Sequence, residues 1–283
     1  MTAELLDGRA HSAELIREVT AAVAERVAAG KGAPGLATVL AGDDPGSVWY
    51  VGSIGKRAQR AGMTWRDVRV TPAGGDAALR AALHELNADP QVNGVIVMLP
   101  LPEPLHATTV AEQLDPEKDV DGITSANAGR LVLGAPGLFP CTPLGGVELL
   151  KRAGVPLVGT KAVIVGRSAI VGKPLALMLL AEHATVTLCH TRTRDLAAVC
   201  READLLCAAT GKPGLITAEM VKPGATVVDF GTTPDEGGRL RGDVEAGVVQ
   251  VAGKLAAIPG GTELMTTAML LRNTLEAARR QEA

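Results

Sequence analysis

The chain has 283 residues, of which 47% are hydrophobic and 21% are charged, and its formal net charge is −3. This length fits one large domain or two ordinary ones with real apolar cores. The apolar content excludes a disordered chain, and the weak net charge argues against a nucleic-acid-binding protein. Aromatic residues make up only 2% of the chain, so an aliphatic core is expected.

The sequence contains no pattern typical of secretion, membrane insertion or metal binding. The segment MTAELLDGRA at the start is acidic and has no apolar run, so it is not expected to be a signal peptide. No apolar stretch reaches the roughly 18 residues of a spanning helix. The five histidines are scattered, so no metal site is expected. Disulfides or zinc sites remain alternatives for the four cysteines, but buried free thiols are favoured: Cys141, Cys189, Cys200 and Cys207.

Helical and strand patterns alternate along the first half of the chain. Apolar residues at helical spacing from Leu15 to Val27 predict the first helix, which Gly30 would end. Gly52 and Gly55 weaken the second predicted helix by about 1 kcal/mol each relative to Ala. The predicted helices are 11–29, 47–61 and 76–86, and the predicted strands are 36–41, 65–70 and 94–99.

The alternation resumes after FPCTP at 139–143, which is the most plausible domain boundary. Strands that alternate with helices predict right-handed crossovers and a parallel, doubly wound sheet. The fold class is therefore α/β. The predicted helices are 143–152, 171–181, 196–201 and 266–280, and the predicted strands are 162–165, 185–188, 205–209 and 225–229.

The segment KAVIVGRSAIVGKPLALML reads as a strand, a glycine turn and a helix. Gly166 would end the strand, and Gly172 would open a helix whose free N–H groups can hold a pyrophosphate. The spacing is not GxGxxG, so an ordinary strand-to-helix turn explains this segment equally well.

The end of the next predicted strand favours NADP over NAD. A site for the unphosphorylated dinucleotide usually places an acid there, whereas this strand ends in Cys-His-Thr-Arg. Together with Arg167, Arg192 would suit a phosphate on the ribose. The alternative is that Arg192 and Arg194 merely lie on a solvated surface.

Six motifs occur in order along the chain: YVGS at 50–53, LPLP at 99–102, KDVDG at 118–122, NAGRL at 127–131, PCTP at 140–143 and GRSAIVGKP at 166–174. In this order they resemble the bifunctional methylenetetrahydrofolate dehydrogenase/cyclohydrolase family. The resemblance implies two α/β domains around a cleft, the second a Rossmann-type parallel sheet. It implies a folate-side domain at 1–139, closed by a C-terminal helix at 266–283, and an NADP-binding domain at 140–265. It also implies a cytoplasmic homodimer acting on tetrahydrofolate derivatives.

The resemblance assigns roles to individual residues. Tyr50, the only tyrosine in the chain, would pack on the folate, and Asp121 would pair with the polar edge of the pterin; both are candidate catalytic and substrate-binding residues. The other implied substrate-binding residues are Leu99, Pro100, Leu101, Pro102, Pro259, Gly260 and Gly261. The implied cofactor-binding residues are Gly166, Arg167, Ser168, Val171, Gly172, Thr191, Arg192 and Thr232.

Three positions, together with the segment FGTTPD at 230–235, depart from the family pattern. Ile54 stands where the family has a lysine, Met98 where it has a glutamine, and Glu263 where it has a glycine. Lys56 is no obvious substitute, because two residues along a helix rotate a side chain by about 200°. Glu263 would add charge and bulk to a ligand-side loop.

These departures predict an NADP-dependent methylenetetrahydrofolate dehydrogenase in which cyclohydrolase activity is lost or severely weakened. Hydride transfer needs mainly positioning, whereas hydrolysis needs proton transfers that isoleucine cannot perform. The alternative is a non-catalytic or neofunctionalised paralogue that binds NADP and a folate-like heterocycle.

Four residues near the motifs receive structural interpretations. Asp119 is expected to anchor its loop, and Lys118 is expected to be a solvated charge. Cys141 is expected to be a packed small residue rather than a nucleophile. His190 is expected to be an ordinary strand-end histidine, although a place near the cofactor is the alternative.

Overall fold

The computed structural model describes residues 2–282, so Met1 and Ala283, at the ends of the predicted folate-side segments, lie outside the described residues. The chain divides into two compact units. The first unit contains the residues up to Ala13 together with Thr142–Met269, and the second contains Glu14–Cys141 together with the residues from Leu270 onward. No helix among the described residues is long and apolar enough to cross a membrane.

Strands and helices alternate along both units. Up to Cys141 the elements are β1 (Glu4–Leu5), α1 (Gly8–Ala28), β2 (Gly35–Ala41), α2 (Pro45–Arg60), β3 (Thr64–Val70), α3 (Gly75–Ala88), β4 (Gly94–Val97), α4 (Ala107–Gln113) and α5 (Ser125–Leu133). They continue with α6 (Cys141–Arg152), β5 (Lys161–Val165), α7 (Gly172–Ala181), β6 (Thr185–Cys189), α8 (Leu196–Arg201), β7 (Leu205–Ala208), β8 (Thr226–Asp229), β9 (Thr233–Pro234), β10 (Leu240–Arg241), β11 (Lys254–Ala256) and α9 (Thr262–Arg280). Short 3₁₀ turns occupy Pro72–Gly74, Ala218–Met220 and Ala246–Gln250.

The second unit is built on a three-stranded parallel sheet in the order β3-β2-β4. Every residue of the central strand β2 is buried, as expected for a parallel strand covered on both faces. Its side chains pack with Leu79, Leu83 and Leu86 of α3 in one aliphatic core. The helix α2 contains Gly55 because a Cβ there would lie 2.4 Å from the Trp65 ring. The close approach of that ring explains why a glycine occurs within this helix, where the sequence alone predicts only a loss of helix stability.

The first unit is built on a six-stranded parallel sheet in the order β1-β11-β8-β7-β5-β6. The chain runs from β5 to its neighbour β6 and then crosses to β7 on the other side of β5. Such a reversal is the point at which open α/β sheets bind ligands, outside the carboxyl ends of the strands. The core is aliphatic, and all four cysteines are free and buried, which confirms both predictions.

The predicted α/β class with a parallel, doubly wound sheet is confirmed. All the predicted helices and strands are present, with ends shifted by a few residues. The sequence did not predict β1, β9, β10, β11, α4 or α5. The four strands have only two or three residues each, too short for an alternating pattern to register.

Candidate functional site

The helix α2 places the single tyrosine one turn before a buried apolar residue. Asp44 caps the helix by accepting the backbone N–H of Ser47 at 2.8 Å, and Pro45 occupies the first turn. Tyr50 is half-buried and Ile54, one turn on, is completely buried. Lys56 is exposed, in agreement with the expectation that it does not replace a lysine at position 54.

The LPLP segment follows directly from the buried strand β4. The backbone N–H of Met98 donates to the carbonyl of Val39 at 2.9 Å, so Met98 is anchored to β2. Its side chain is half-buried, and the bond between Leu99 and Pro100 is cis. In the rest of the segment, Leu99, Leu101 and Pro102 are half-buried and Pro100 is exposed.

Within KDVDG, the first aspartate is a structural anchor. Asp119 is completely buried, and its carboxylate accepts N–H groups from Ile123 at 3.1 Å, Thr124 at 2.8 Å and the Asn127 side chain at 3.0 Å. Three donors thus provide this buried carboxylate with hydrogen-bond partners. The predicted anchoring role of Asp119 agrees with this geometry.

The second aspartate of KDVDG, Asp121, is half-buried, and its pKa is shifted. Burial, with the neighbouring Asp119 carboxylate adding to it, raises the pKa of Asp121 to about 7, although hydrogen bonding with Cys141 acts in the opposite direction. Asp121 therefore exchanges its proton near neutral pH.

Cys141 lies beside Asp121 as a hydrogen-bonding thiol. Its Sγ donates at 3.2 Å to the carbonyl of Val120, and the Asn273 side chain donates at 2.8 Å to that same carbonyl. Burial and the nearby carboxylates raise the pKa of Cys141 well above its usual value. The thiol stays protonated, which agrees with the prediction that Cys141 is not a nucleophile.

Lys118 is buried, so the prediction of a solvated charge is wrong. Its Nζ donates three hydrogen bonds, to the carbonyls of Leu86 at 3.0 Å, Asn87 at 2.8 Å and Asp89 at 2.7 Å. These carbonyls end α3, where the helix dipole favours a cation. Burial lowers the pKa of Lys118, and Asp115 and Asp89 act in the opposite direction. The partners lie about 30 residues away, so no local pattern could have indicated them.

In the first unit, a cavity of about 470 Å³ opens at the switch point between β5 and its neighbours. Gly166 ends β5 with a φ of +130°, and a Cβ there would lie 2.0 Å from the carbonyl oxygen of Ala209. Only glycine combines that conformation with so close an approach. The hydroxyl of Ser168 accepts the N–H groups of Val171 at 3.1 Å and Gly172 at 3.3 Å, which shapes the start of α7.

Four of the residues predicted to bind the cofactor line this cavity: Gly166, Arg167, Ser168 and Thr191. The other four, Val171, Gly172, Arg192 and Thr232, lie outside its lining, with Arg192 and Thr232 exposed. The sequence did not predict the contributions of Thr193, Leu196, Thr210, Lys212 and Leu215. The segment after β7 could have been identified, because neighbouring parallel strands deliver their carboxyl ends to the same edge of a sheet.

His190 also lines the cavity, and its ring has a structural partner. Its Nδ1 accepts the backbone N–H of Arg192 at 3.1 Å, and its own backbone N–H donates to the Thr193 hydroxyl at 2.8 Å. His190 therefore shapes the turn after β6, in agreement with the interpretation as a strand-end histidine, and it also lies at the cavity.

The last predicted substrate segment belongs to the first unit and begins after a cis bond between Ile258 and Pro259. The carboxylate of Glu263 turns back into its own loop, where it accepts the N–H groups of Gly260 and, at 3.1 Å, of Gly261. The added charge is thus held at the amino end of α9, where a helix favours an anion.

Comparison with known proteins agrees with the fold. Residues 6–121 match the catalytic-domain model of tetrahydrofolate dehydrogenase/cyclohydrolase, and residues 140–282 match its NAD(P)-binding-domain model. The bifunctional protein FolD of Roseiflexus sp. (strain RS-1) is 49% identical over 284 residues, covering 100% of this chain and 99% of that protein. The bifunctional protein FolD 2 of Frankia alni is 50% identical over 280 residues, covering 99% of this chain and 97% of that protein.

Solved structures extend the agreement over the whole chain. The Campylobacter jejuni bifunctional FolD superposes with a TM-score of 0.95 at 39% identity, covering 99% of each chain. The Trypanosoma brucei FolD, solved with NADP cofactor and an inhibitor, superposes with a TM-score of 0.93 at 34% identity, covering 100% of this chain and 99% of that one. The predicted Rossmann-type domain, which corresponds to the first unit, is therefore confirmed. The chain belongs to the tetrahydrofolate dehydrogenase/cyclohydrolase family.

Proposed function

We propose that the protein is an NADP-dependent methylenetetrahydrofolate dehydrogenase whose cyclohydrolase activity is absent or severely weakened. The observation that carries this proposal is the complete burial of an apolar side chain at position 54, one helical turn after Tyr50. The half-buried Met98 adds a second apolar group where the family has a glutamine.

The dehydrogenase step does not require the missing lysine. A hydride leaves the methylene carbon held between two nitrogens and passes with its electron pair to the nicotinamide ring of NADP. The nitrogen lone pairs stabilise the resulting methenyl cation, so no proton is removed from the substrate. The protein's task is to position the two reacting carbons, which accounts for much of the rate in such reactions.

The cyclohydrolase step does require proton transfer. Water adds to the methenyl carbon and loses a proton, and the nitrogen that leaves must gain one when the ring opens. General acid–base catalysis accelerates such steps by about 100- to 10,000-fold. Of positions 54, 98 and 121, only Asp121 carries an ionisable group, and its pKa is raised to about 7. In our proposal that carboxyl holds the polar edge of the pterin, and neither position 54 nor position 98 supplies a second group to move protons.

The proposed ligand sites follow the two family domains. The folate would contact Tyr50, Asp121 and the segment 99–102, all of which lie in the second unit. The segment 259–261 is a further substrate-binding candidate that rests on the family resemblance alone. The cavity at the switch point would hold NADP, with Arg167 and Arg192 toward the ribose phosphate. We assign the folate-side role to residues 1–139 with 266–283 and the cofactor role to 140–265. A division near residue 140 is supported by the start of the NAD(P)-binding-domain model there, although that model continues to residue 282. The assignment of the C-terminal helix to the folate side is instead supported by the grouping of Leu270 and the residues after it with Glu14–Cys141. We also propose that the protein is a homodimer, which light scattering would check, and that it acts in the cytoplasm.

A paired assay on the purified protein tests this function. We expect NADPH to form from methylenetetrahydrofolate, and methenyltetrahydrofolate to be hydrolysed no faster than in buffer. Enzymatic hydrolysis well above the buffer rate would refute the loss of cyclohydrolase activity.

One observation favours a second candidate, a paralogue that binds ligands without turnover. Glu263 occupies the N–H groups of Gly260 and Gly261, two predicted substrate-binding residues. Measurable NADPH binding together with no NADPH formation would favour this alternative.

A further inference from the structure

Asp243 is completely buried and holds the backbone that follows β7. It comes after β10 in the chain, and its Oδ2 accepts the N–H groups of Thr210 and, at 3.0 Å, of Gly211. Thr210 and its neighbour Lys212 line the cavity at the switch point. The carboxylate of Asp243 thus fixes one wall of that cavity from the protein side.

Asp243 is itself held by a second buried carboxylate at the end of β8. Asp229 accepts the N–H groups of Asp243 at 2.9 Å and of Gly231 at 2.8 Å on Oδ1, and that of Val244 at 3.0 Å on Oδ2. The carbonyl of Asp243 also accepts the N–H of Ile216 at 3.0 Å. The two carboxylates therefore tie the segments after β7, β8 and β10 into one network.

This arrangement lowers the stability of the fold, so stability alone does not account for it. Within the described part of the chain, Oδ1 of Asp243 is buried without a hydrogen-bond partner. Burial raises the pKa of Asp229 to about 6, and the neighbouring charge of Asp243 contributes in the same direction. Buried charges and unpaired polar atoms disfavour folding, and such features concentrate where function requires them.

We propose that Asp243 is a positioning residue for the cofactor, which sets the affinity for NADP by holding Thr210 and Gly211 without touching the ligand. The inference rests on the proposed function, which assigns the cavity to NADP. A carboxylate that accepts both N–H groups fixes the wall more firmly than a neutral amide, because hydrogen bonds to charged groups are about twice as strong.

Two substitutions at one position give a graded test. Asp243→Asn keeps an oxygen that can accept both N–H groups, whereas Asp243→Ala removes it. Asp204→Asn is the matched control, because Asp204 also accepts a backbone N–H, that of Lys161 at 3.1 Å, at the amino end of the same sheet. We would measure NADPH affinity by fluorescence, KM for both substrates, and amide hydrogen exchange at Thr210 and Gly211.

We expect KM for NADP to rise about threefold in Asp243→Asn and at least tenfold in Asp243→Ala, as one or two charge-assisted hydrogen bonds are weakened or lost. KM for methylenetetrahydrofolate should stay within twofold, and exchange at the two amides should accelerate in the same order. Asp204→Asn should change neither KM.

Equal changes in both KM values, or faster exchange with unchanged NADPH affinity, would overturn the inference. If Asp243→Ala does not fold, Asp243→Asn decides alone by the same criteria. Failure of the unaltered protein to bind NADPH would instead reject the assignment of the cavity to NADP, and the inference with it.

Discussion

Replacing Ile54 by lysine tests the proposed loss of cyclohydrolase activity most directly. The side chain of Ile54 is completely buried, so the substitution removes about 1.5–3 kcal/mol of hydrophobic stabilisation, part of which the lysine stem recovers. Holding the buried amine neutral at pH 7.5, about three units below the ordinary lysine pKa, costs about 4 kcal/mol more. Ile54→Lys should therefore lower the free energy of unfolding by roughly 4–6 kcal/mol.

The same substitution should restore hydrolysis. A buried amine with a pKa lowered toward neutral is suited to general acid–base catalysis. In Ile54→Lys combined with Met98→Gln, we expect hydrolysis of methenyltetrahydrofolate to increase about 100-fold or more over the unaltered protein. Dehydrogenase activity should change much less, because hydride transfer uses no titrating group at position 54.

The assay follows loss of methenyltetrahydrofolate absorbance, with urea denaturation run on the same samples. Ile54→Met is the matched control: it conserves volume, should cost less than about 1.5 kcal/mol, and supplies no proton. Equal hydrolysis by the lysine and methionine variants would refute the reasoning, because the gain would then not depend on a titrating group. A stable protein that carries both Ile54→Lys and Met98→Gln but shows no hydrolysis would mean that the pocket has diverged at more than these two positions.

Three further predictions follow from single contacts. Gly166→Ala should abolish NADPH binding, measured by fluorescence, because its Cβ would lie 2.0 Å from the carbonyl oxygen of Ala209; binding within twofold of the unaltered protein would contradict this. Lys118→Met should lower the free energy of unfolding by roughly 3 kcal/mol in urea, since three carbonyls at the end of α3 lose their donor; a loss under 1 kcal/mol would mean that water replaces the ammonium. The pH profile of kcat/KM for methylenetetrahydrofolate should inflect near pH 7, where Asp121 gains its proton as pH falls, and Asp121→Asn should remove that inflection; an unchanged profile would exclude this carboxyl.

Local patterns in the sequence were sufficient for the fold class. The continuous apolar strands β2 and β5 and the amphipathic helices between strands predict a parallel sheet without tertiary information. The glycine turn after β5 likewise indicated the cavity, because Gly166 and Ser168 are local to the strand that they follow.

What the sequence could not predict depends on contacts between distant segments. Lys118 reads as a surface charge until the end of α3 is placed beside it. The pairing of Asp229 with Asp243 joins positions 14 residues apart across strand ends. Glu263 was expected to add charge and bulk to a ligand-side loop, but its carboxylate accepts hydrogen bonds from the N–H groups of Gly260 and Gly261 within that loop. In each case a polar side chain has found backbone partners that only the folded chain supplies.

The burial of position 54 connects the stability of this protein to its proposed chemistry. A lysine at a site with no solvent exposure lowers stability, because its charge must be lost or compensated, whereas isoleucine stabilises the same site by filling it. Once hydrolysis is dispensable, substitution by an apolar residue therefore raises stability and leaves hydride transfer intact. A polar residue at position 98 would then have no role in catalysis, and its polar atoms would still need hydrogen-bond partners. Methionine is therefore favoured at position 98 as well. On this reasoning the two substitutions form one coupled change, and restoring both should increase hydrolysis more than the product of the single effects.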